Sequence, residues 1–229
     1  MTLCKRAHNP TVNPRSWPGI VLCSKRFPIP LMTGGFDMAL GVDIDGTVCD
    51  FVTAAVMAFN RTLDQHISVA AAYSRYAIQD VYGLDSLEFN GLFQALEADI
   101  YLTAPPFRRA QAILRAWATA GEQVTYITTR PWQYHAVTRA WLRRWGFPSG
   151  DIVHVRGTAD KGPLARALGI STLIDDHPDV FRTCSGTPGL DVVVASQPYN
   201  MALPATRRVF WADHLMKGDA IDDYTSIAI

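Results

Sequence analysis

The segment Val42-Asp43-Ile44-Asp45-Gly46-Thr47-Val48-Cys49-Asp50 closes a short apolar run on two carboxylates separated by one residue. Side chains alternate along a strand, so Asp43 and Asp45 share a face and can converge as the chain leaves a sheet. Gly46 then permits a turn that a side chain would obstruct. Alone, two aspartates and a glycine make a turn more readily than an active site. A second apolar run, Ser171-Thr172-Leu173-Ile174, also ends on paired aspartates, Asp175 and Asp176, and open α/β sheets bind ligands outside the carboxyl ends of their strands. Four carboxylates in one crevice repel one another: a pair about 4 Å apart costs about 1 kcal/mol in water and about 4 kcal/mol at an effective dielectric of about 20. A cation relieves this, and oxygen-only ligands with positions left for water and phosphate suit Mg²⁺, with Ca²⁺ the weaker option and zinc or copper disfavoured. An EF-hand is excluded, because the glycine follows the second aspartate directly instead of falling sixth in the loop.

Two further segments carry groups that suit phosphate oxygens. Tyr126-Ile127-Thr128-Thr129-Arg130-Pro131 offers two hydroxyls and a guanidinium at the end of another apolar run, although a threonine close to a proline serves equally well as a helix cap. Lys161, within Ala159-Asp160-Lys161-Gly162-Pro163, opens a helical pattern; read singly it is a surface charge.

The elements that must position these groups form a recognisable rhythm. Short apolar runs alternating with helical patterns predict an α/β fold built on a doubly wound parallel sheet. Strands are expected at 39–44, 123–128, 151–155, 171–174 and 191–195. Helices at 106–120, 134–145 and 161–168 each stop at a glycine, Gly121, Gly146 and Gly169, the residue favoured just past a helix C-terminus. The first of them carries Ala110, Ile113, Leu114 and Trp117 on one face. Residues 51–105 are too many for a plain connection and read as an inserted helical cap, with helices at 53–63 and 87–96. The catalytic core then comprises residues 38–50 and 106–229. Residues 1–37, proline-rich and without a hydrophobic period, are expected to be a disordered leader, with translation from Met32 or Met38 as the alternative. A last helix is expected around Phe210-Trp211-Ala212-Asp213-His214, although Pro204 and the polar ending argue for a frayed tail.

The whole chain narrows the classes further. Twenty-one basic residues balance twenty-one acidic ones in 229, so no net field gathers nucleic acid or anionic membrane. Cys4, Cys23, Cys49 and Cys184 lack zinc-site spacing and are read as free thiols. Every apolar run, including Gly19–Cys23, is far shorter than the roughly 20 residues a bilayer core needs and that one is too short for a signal peptide. A cytoplasmic protein without membrane contact or stable nucleic-acid binding is expected; a homodimer stays open.

Taken in order, Asp43-x-Asp45-Gly46-Thr47, a threonine at the second strand end, Lys161, and Asp175-Asp176 resemble the haloacid dehalogenase-like superfamily of phosphatases, over residues 38 to about 195. Within it, 43–50, 127–131 and Leu173-Ile174-Asp175-Asp176-His177-Pro178-Asp179 look like the 5′(3′)-deoxyribonucleotidase branch, as does the small helical insertion. Arg130 stands where a small residue is expected in the mammalian enzymes. The resemblance implies a Mg²⁺-dependent phosphomonoesterase in which Asp43 attacks phosphorus to form an aspartyl-phosphate. Asp45 protonates the leaving alcohol and then takes a proton from water. Asp43, the backbone carbonyl of Asp45, and Asp175 or Asp176 hold the metal; Thr128 or Thr129 and Lys161 hold the phosphoryl oxygens, with Arg130 beside them.

The implied substrate is a nucleoside monophosphate. A sugar phosphate or a phosphorylated nucleic-acid 3′ end is the alternative, the latter favoured only by the basic helix bearing Arg139, Arg143 and Arg144. A non-catalytic binding module that keeps the fold is the third reading. Phe51, just after the first motif, is the expected substrate contact. Tyr73, Tyr76, Tyr82, Phe89, Phe93 and Tyr101 form either the core of the insertion or a stacking platform. Cys49 is read as packing, and His177 as a residue beside the metal rather than on it.

Overall fold

The computed structural model describes residues 39–212. The expected leader, both alternative start methionines and the part of the expected last helix beyond Ala212 lie outside the described residues. Six parallel strands form one sheet in the order β3-β2-β1-β4-β5-β6. They are β1 (Ala39–Val42), β2 (Gln123–Thr128), β3 (Asp151–His154), β4 (Thr172–Asp175), β5 (Asp191–Ala195) and β6 (Arg208–Val209). From β1 the chain winds outward through β2 and β3, then crosses back to β4. The order therefore reverses between β1 and β4, and that is where open α/β sheets hold their ligands.

Both faces of the sheet are covered, as a parallel sheet requires. Alternation along the strands sends Val42, Tyr126, Ile174 and Val193 to one face, against α1 (Phe51–Leu63), α5 (Arg108–Thr119) and α6 (His135–Arg144). The other face presents Ile127, Leu173 and Val192 to α7 (Lys161–Ala167) and α8 (Pro178–Cys184). Between α1 and α5 lie three more helices, α2 (Val69–Tyr73), α3 (Ile78–Tyr82) and α4 (Ser86–Thr103). Local chemistry sets the starts: Asp50 accepts from the amide of Thr53 at the head of α1, and Asp85 with Glu88 closes a capping box on α4. The glycines expected to stop three helices all adopt positive φ.

Three differences from the expected elements have physical reasons. β1 ends at Val42, two residues early, because the amides of Thr47, Val48 and Cys49 all turn back onto the carbonyl of Ile44. β6 spans two residues, too few to show alternation. The helix expected from Phe210 does not begin there: residues 210–212 are irregular, with Trp211 and Ala212 buried in the core. Among the described residues no helix is long and apolar enough to cross a membrane.

Candidate active site

Asp43 is the first residue past β1, and its amide still donates to the carbonyl of Ile174 in β4 at 2.9 Å. That bond fixes it beside Asp175, the last residue of β4. Carboxylate oxygens of Asp43, Asp175 and Asp176 lie within 4.8 Å of one another, and all three residues are buried. Lys161, the first residue of α7, reaches in with 2% of its side chain exposed and donates to Asp43 Oδ1 and Asp175 Oδ2, each at 2.6 Å. Asp175 Oδ1 accepts from the amide of His177 at 2.9 Å.

Asp176 is held by a different set of groups. The Thr47 hydroxyl donates to Oδ1 at 2.6 Å and accepts from the Asp176 amide at 3.1 Å. The Tyr199 hydroxyl donates to Oδ2 at 2.5 Å, and Asn200 donates to the Asp176 carbonyl at 2.8 Å. Gln197 donates to the carbonyl of Gly46 at 2.6 Å. Gly46 has a φ of +79°, and a Cβ there would sit 2.6 Å from Asp176 Oδ2 and 2.8 Å from the Tyr199 hydroxyl. Glycine is thus required both by the turn and by the close approach of the acidic strand end.

One ammonium against three buried carboxylates leaves excess negative charge, and the acidities reflect it. Burial first, then Asp175, pushes Asp176 up to about 7, against the lowering effect of the Thr47 and Tyr199 hydroxyls. Burial likewise raises Asp43 well above the ordinary carboxylate range; Lys161 opposes this, while Asp175, Asp176 and Asp45 add to it. Burial works against the charge of Lys161, but Asp175 and Asp43 outweigh it and its pKa rises. A cluster that retains protons for want of positive charge, and offers only oxygen, fits a hard divalent cation.

The fourth aspartate is elsewhere. The sequence suggested four carboxylates in one crevice, but the structure joins three and turns Asp45 onto Arg130, which donates from Nε to Oδ2 at 2.8 Å and from Nη2 to Oδ1 at 2.6 Å. Arg130, expected beside phosphate, is thus engaged with an aspartate. Of the two threonines, Thr128 is buried and its hydroxyl accepts the Arg130 amide at 3.1 Å, whereas Thr129 is exposed. Phe51 opens α1 and packs against Phe93 and Tyr101 of α4, ring centroids 6.0 and 6.3 Å away. Cys49 is buried, and burial raises its thiol pKa. His177 caps α8 by accepting the Asp179 amide. Thr47, Gln197, Tyr199 and Asn200 were not singled out as site residues. The polar run Gln197-Pro198-Tyr199-Asn200, following the fifth expected strand at the ligand-binding edge, was the available signal for the last three.

The parallel sheet with its acidic strand ends, together with a family match, makes this a phosphatase of the haloacid dehalogenase-like class. Solved structures share the fold. A protein of Haemophilus somnus named as a phosphoglycolate phosphatase superposes with a TM-score of 0.56 at 15% identity, over 80% of this chain and 98% of that one. CbbY of Rhodobacter sphaeroides, solved with xylulose 1,5-bisphosphate, gives 0.54 at 15%, over 78% and 96%. Residues 37–218 match the model of the 5′ nucleotidase, deoxy (pyrimidine), cytosolic type C family, and the chain belongs to that family. A nucleotidase candidate of Bacillus cereus is 28% identical over 181 residues, 77% of this chain and 95% of the relative.

Proposed function

We propose that the protein is a Mg²⁺-dependent 5′(3′)-deoxyribonucleotidase-like enzyme that releases phosphate from nucleoside monophosphates through an aspartyl-phosphate at Asp43. The observation that carries this reading is the Lys161 ammonium shared by Asp43 and Asp175 inside a buried cluster of three carboxylates. Asp43, the backbone carbonyl of Asp45, Asp175 and Asp176 are the groups that would hold Mg²⁺, which when bound neutralises phosphate charge as the ester nears the nucleophile.

Asp43, fixed by its bond to Ile174, attacks phosphorus in line, so one hard displacement becomes two easier ones. Asp45 gives a proton to the leaving oxygen and later takes one from the water that opens the acyl-phosphate. Thr128 or Thr129 meets the phosphoryl oxygens, the Thr128 hydroxyl accepting the Arg130 amide and keeping its own proton to donate; Lys161 is the second such group.

Residues 51–105 act as the cap. α4 supplies Asn90, Phe93, Gln94 and Glu97 to a cleft of about 420 Å³ whose other wall is Pro131, Gln133 and Tyr134 from the loop after β2. Aromatic rings and amides facing each other across such a volume suit a nucleobase. Buried unpaired thiols at Cys49 and Cys184 agree with a cytoplasmic setting.

The test is phosphate release from a panel of deoxynucleotides, sugar phosphates and 3′-phosphorylated oligonucleotides. Nucleoside monophosphates should be the preferred substrates. Asp43→Asn should lower magnesium-dependent release by on the order of 10⁴-fold or more; undiminished release would refute the nucleophile, and a preferred sugar phosphate would refute the substrate.

A further inference from the structure

The Arg130 guanidinium is sealed off from the crevice. Its side chain is 0% exposed, while Asp45, on which it closes, keeps 22% of its side-chain surface open. Every guanidinium nitrogen is committed: Nε and Nη2 to the two oxygens of Asp45, Nη1 to the Thr138 hydroxyl of α6 at 3.3 Å. The ring of Tyr101 in α4 covers the guanidinium face, with Cζ 4.2 Å from the ring centroid. Its backbone is pinned as well, the amide to Thr128 and the carbonyl to His154 Nδ1 at 2.7 Å. Burial works against the charge, yet Asp45 outweighs it and the pKa rises.

A group in this position cannot meet a phosphate oxygen without breaking its fork. What the fork does is fix the plane of a carboxyl group. The terminal torsion of an aspartate is otherwise broad, and parallel N–H donors in fixed geometry remove that freedom. The Cys49 thiol, donating to Asp45 Oδ1 at 3.4 Å, adds a third restraint.

We propose that Arg130 is a positioning residue for Asp45: it aims the carboxyl group at the leaving oxygen, and Tyr101 completes its seat, so that proton transfer depends on α4 lying against the core. This rests on the reading of Asp45 as the proton-transfer group. In the first half-reaction, the bond between phosphorus and the leaving oxygen breaks as the Asp43–phosphorus bond forms, and the Asp45 proton passes to the departing alkoxide. In the second, the oxygen of water bonds phosphorus as the Asp43–phosphorus bond breaks, and Asp45 recovers a proton from that water. Protonated Asp45 still has lone pairs on both oxygens for Arg130, while its hydrogen points away from the fork into the crevice.

Leaving-group dependence tests this. Release of the leaving group in the first turnover is measured with a nucleoside 5′-monophosphate, whose alkoxide needs a proton, and with 4-nitrophenyl phosphate, whose phenolate does not. Arg130→Met should slow the nucleotide reaction about 10²–10³-fold, leave KM within about threefold, and slow 4-nitrophenyl phosphate by less than about tenfold. Arg130→Lys, which keeps the charge without the fork, should recover only part of the loss; Tyr101→Leu should show the same selectivity more weakly and Tyr101→Phe should not. These variants also carry the test if Arg130→Met does not fold. Adding Arg130→Met to Asp45→Asn should cause no further loss.

Equal losses on both substrates with a raised KM would make Arg130 a phosphate ligand, and no loss on either would make it structural; each result overturns the proposal. Asp43→Asn in the same assay keeps the two readings apart. Should it remain active, the proposed function falls. Should it be inactive while Arg130→Met slows both substrates alike, only the positioning role falls.

Discussion

Lys161 sets the charge balance of the crevice. Its single ammonium serves Asp43 and Asp175 and leaves Asp176 to the hydroxyls of Thr47 and Tyr199. Because Asp176 retains its proton up to about 7 and Asp43 is raised in the same direction by burial, the folded metal-free protein binds more protons than the unfolded chain, whose aspartates titrate near about 3.9. Where the native state holds the extra protons, stability falls as pH rises. The part of the loss due to Asp176 therefore runs from about pH 4 up through its folded pKa near 7 and levels off above it, and Asp43 adds a loss of the same sign. His177 and His135, whose pKa values burial lowers, act oppositely below about 6.5, so the carboxylate effect is read above that. With chelator present, the Tm should fall between about pH 6.5 and 8, and Asp176→Asn should flatten that slope. Apparent Mg²⁺ affinity, measured by calorimetry, should rise over the same interval because the cation competes with the proton. A metal-free Tm rising across this interval would show that the cluster is not proton-loaded.

At the scale of elements, the turn after β5 does what no single strand end does. Gln197 holds the carbonyl of Gly46, Asn200 holds that of Asp176, and Tyr199 holds the Asp176 carboxylate while stacking on Tyr73 of the insertion, centroids 6.3 Å apart at 7°. Partners that orient a metal-binding carboxylate are commonly worth about 10–100-fold in affinity. Tyr199→Phe should weaken Mg²⁺ binding by about that factor; an unchanged calorimetric Kd would show that Thr47 alone orients Asp176. This turn also marks the limit of what a sequence reveals. Helices with an apolar face and a terminal glycine, such as α5, were legible because pattern and stop signal agree. β2 and β5 kept their expected bounds because each is a bounded apolar run. α2 and α3 have five residues each, little more than one turn of helix, and α8 hides behind Pro178 with a histidine as its cap.

Over the whole molecule, the site is assembled from pieces far apart in the chain. Asp43, Asp175, Asp176 and Lys161 could be expected at one place because each sits at a recognisable strand end or helix start. The pairing of Asp45 with Arg130 joins residues 85 apart, and nothing local distinguishes that arginine from one aimed at phosphate. The same holds for the cleft between α4 and the loop after β2, bridged where Tyr134 donates to Glu97 at 2.7 Å. If a nucleobase occupies this cleft, Phe93→Ala should raise KM for nucleoside monophosphates about tenfold or more, as expected for a lost stacking contact of about 1–3 kcal/mol, and leave 4-nitrophenyl phosphate unaffected. Equal effects on both would place the base elsewhere.

The most direct test of covalent catalysis is to mix Asp45→Asn protein with Mg²⁺ and 4-nitrophenyl phosphate, whose phenolate leaves without a proton, quench in acid within the first turnover, and map the peptides by mass spectrometry. The second half-reaction lacks its base in this variant, so a phosphoryl group should accumulate on the peptide carrying Asp43 and disappear in the Asp43→Asn, Asp45→Asn double variant. Leaving-group release without any phosphorylated peptide, or a phosphoryl group on another residue, would contradict an attack by Asp43.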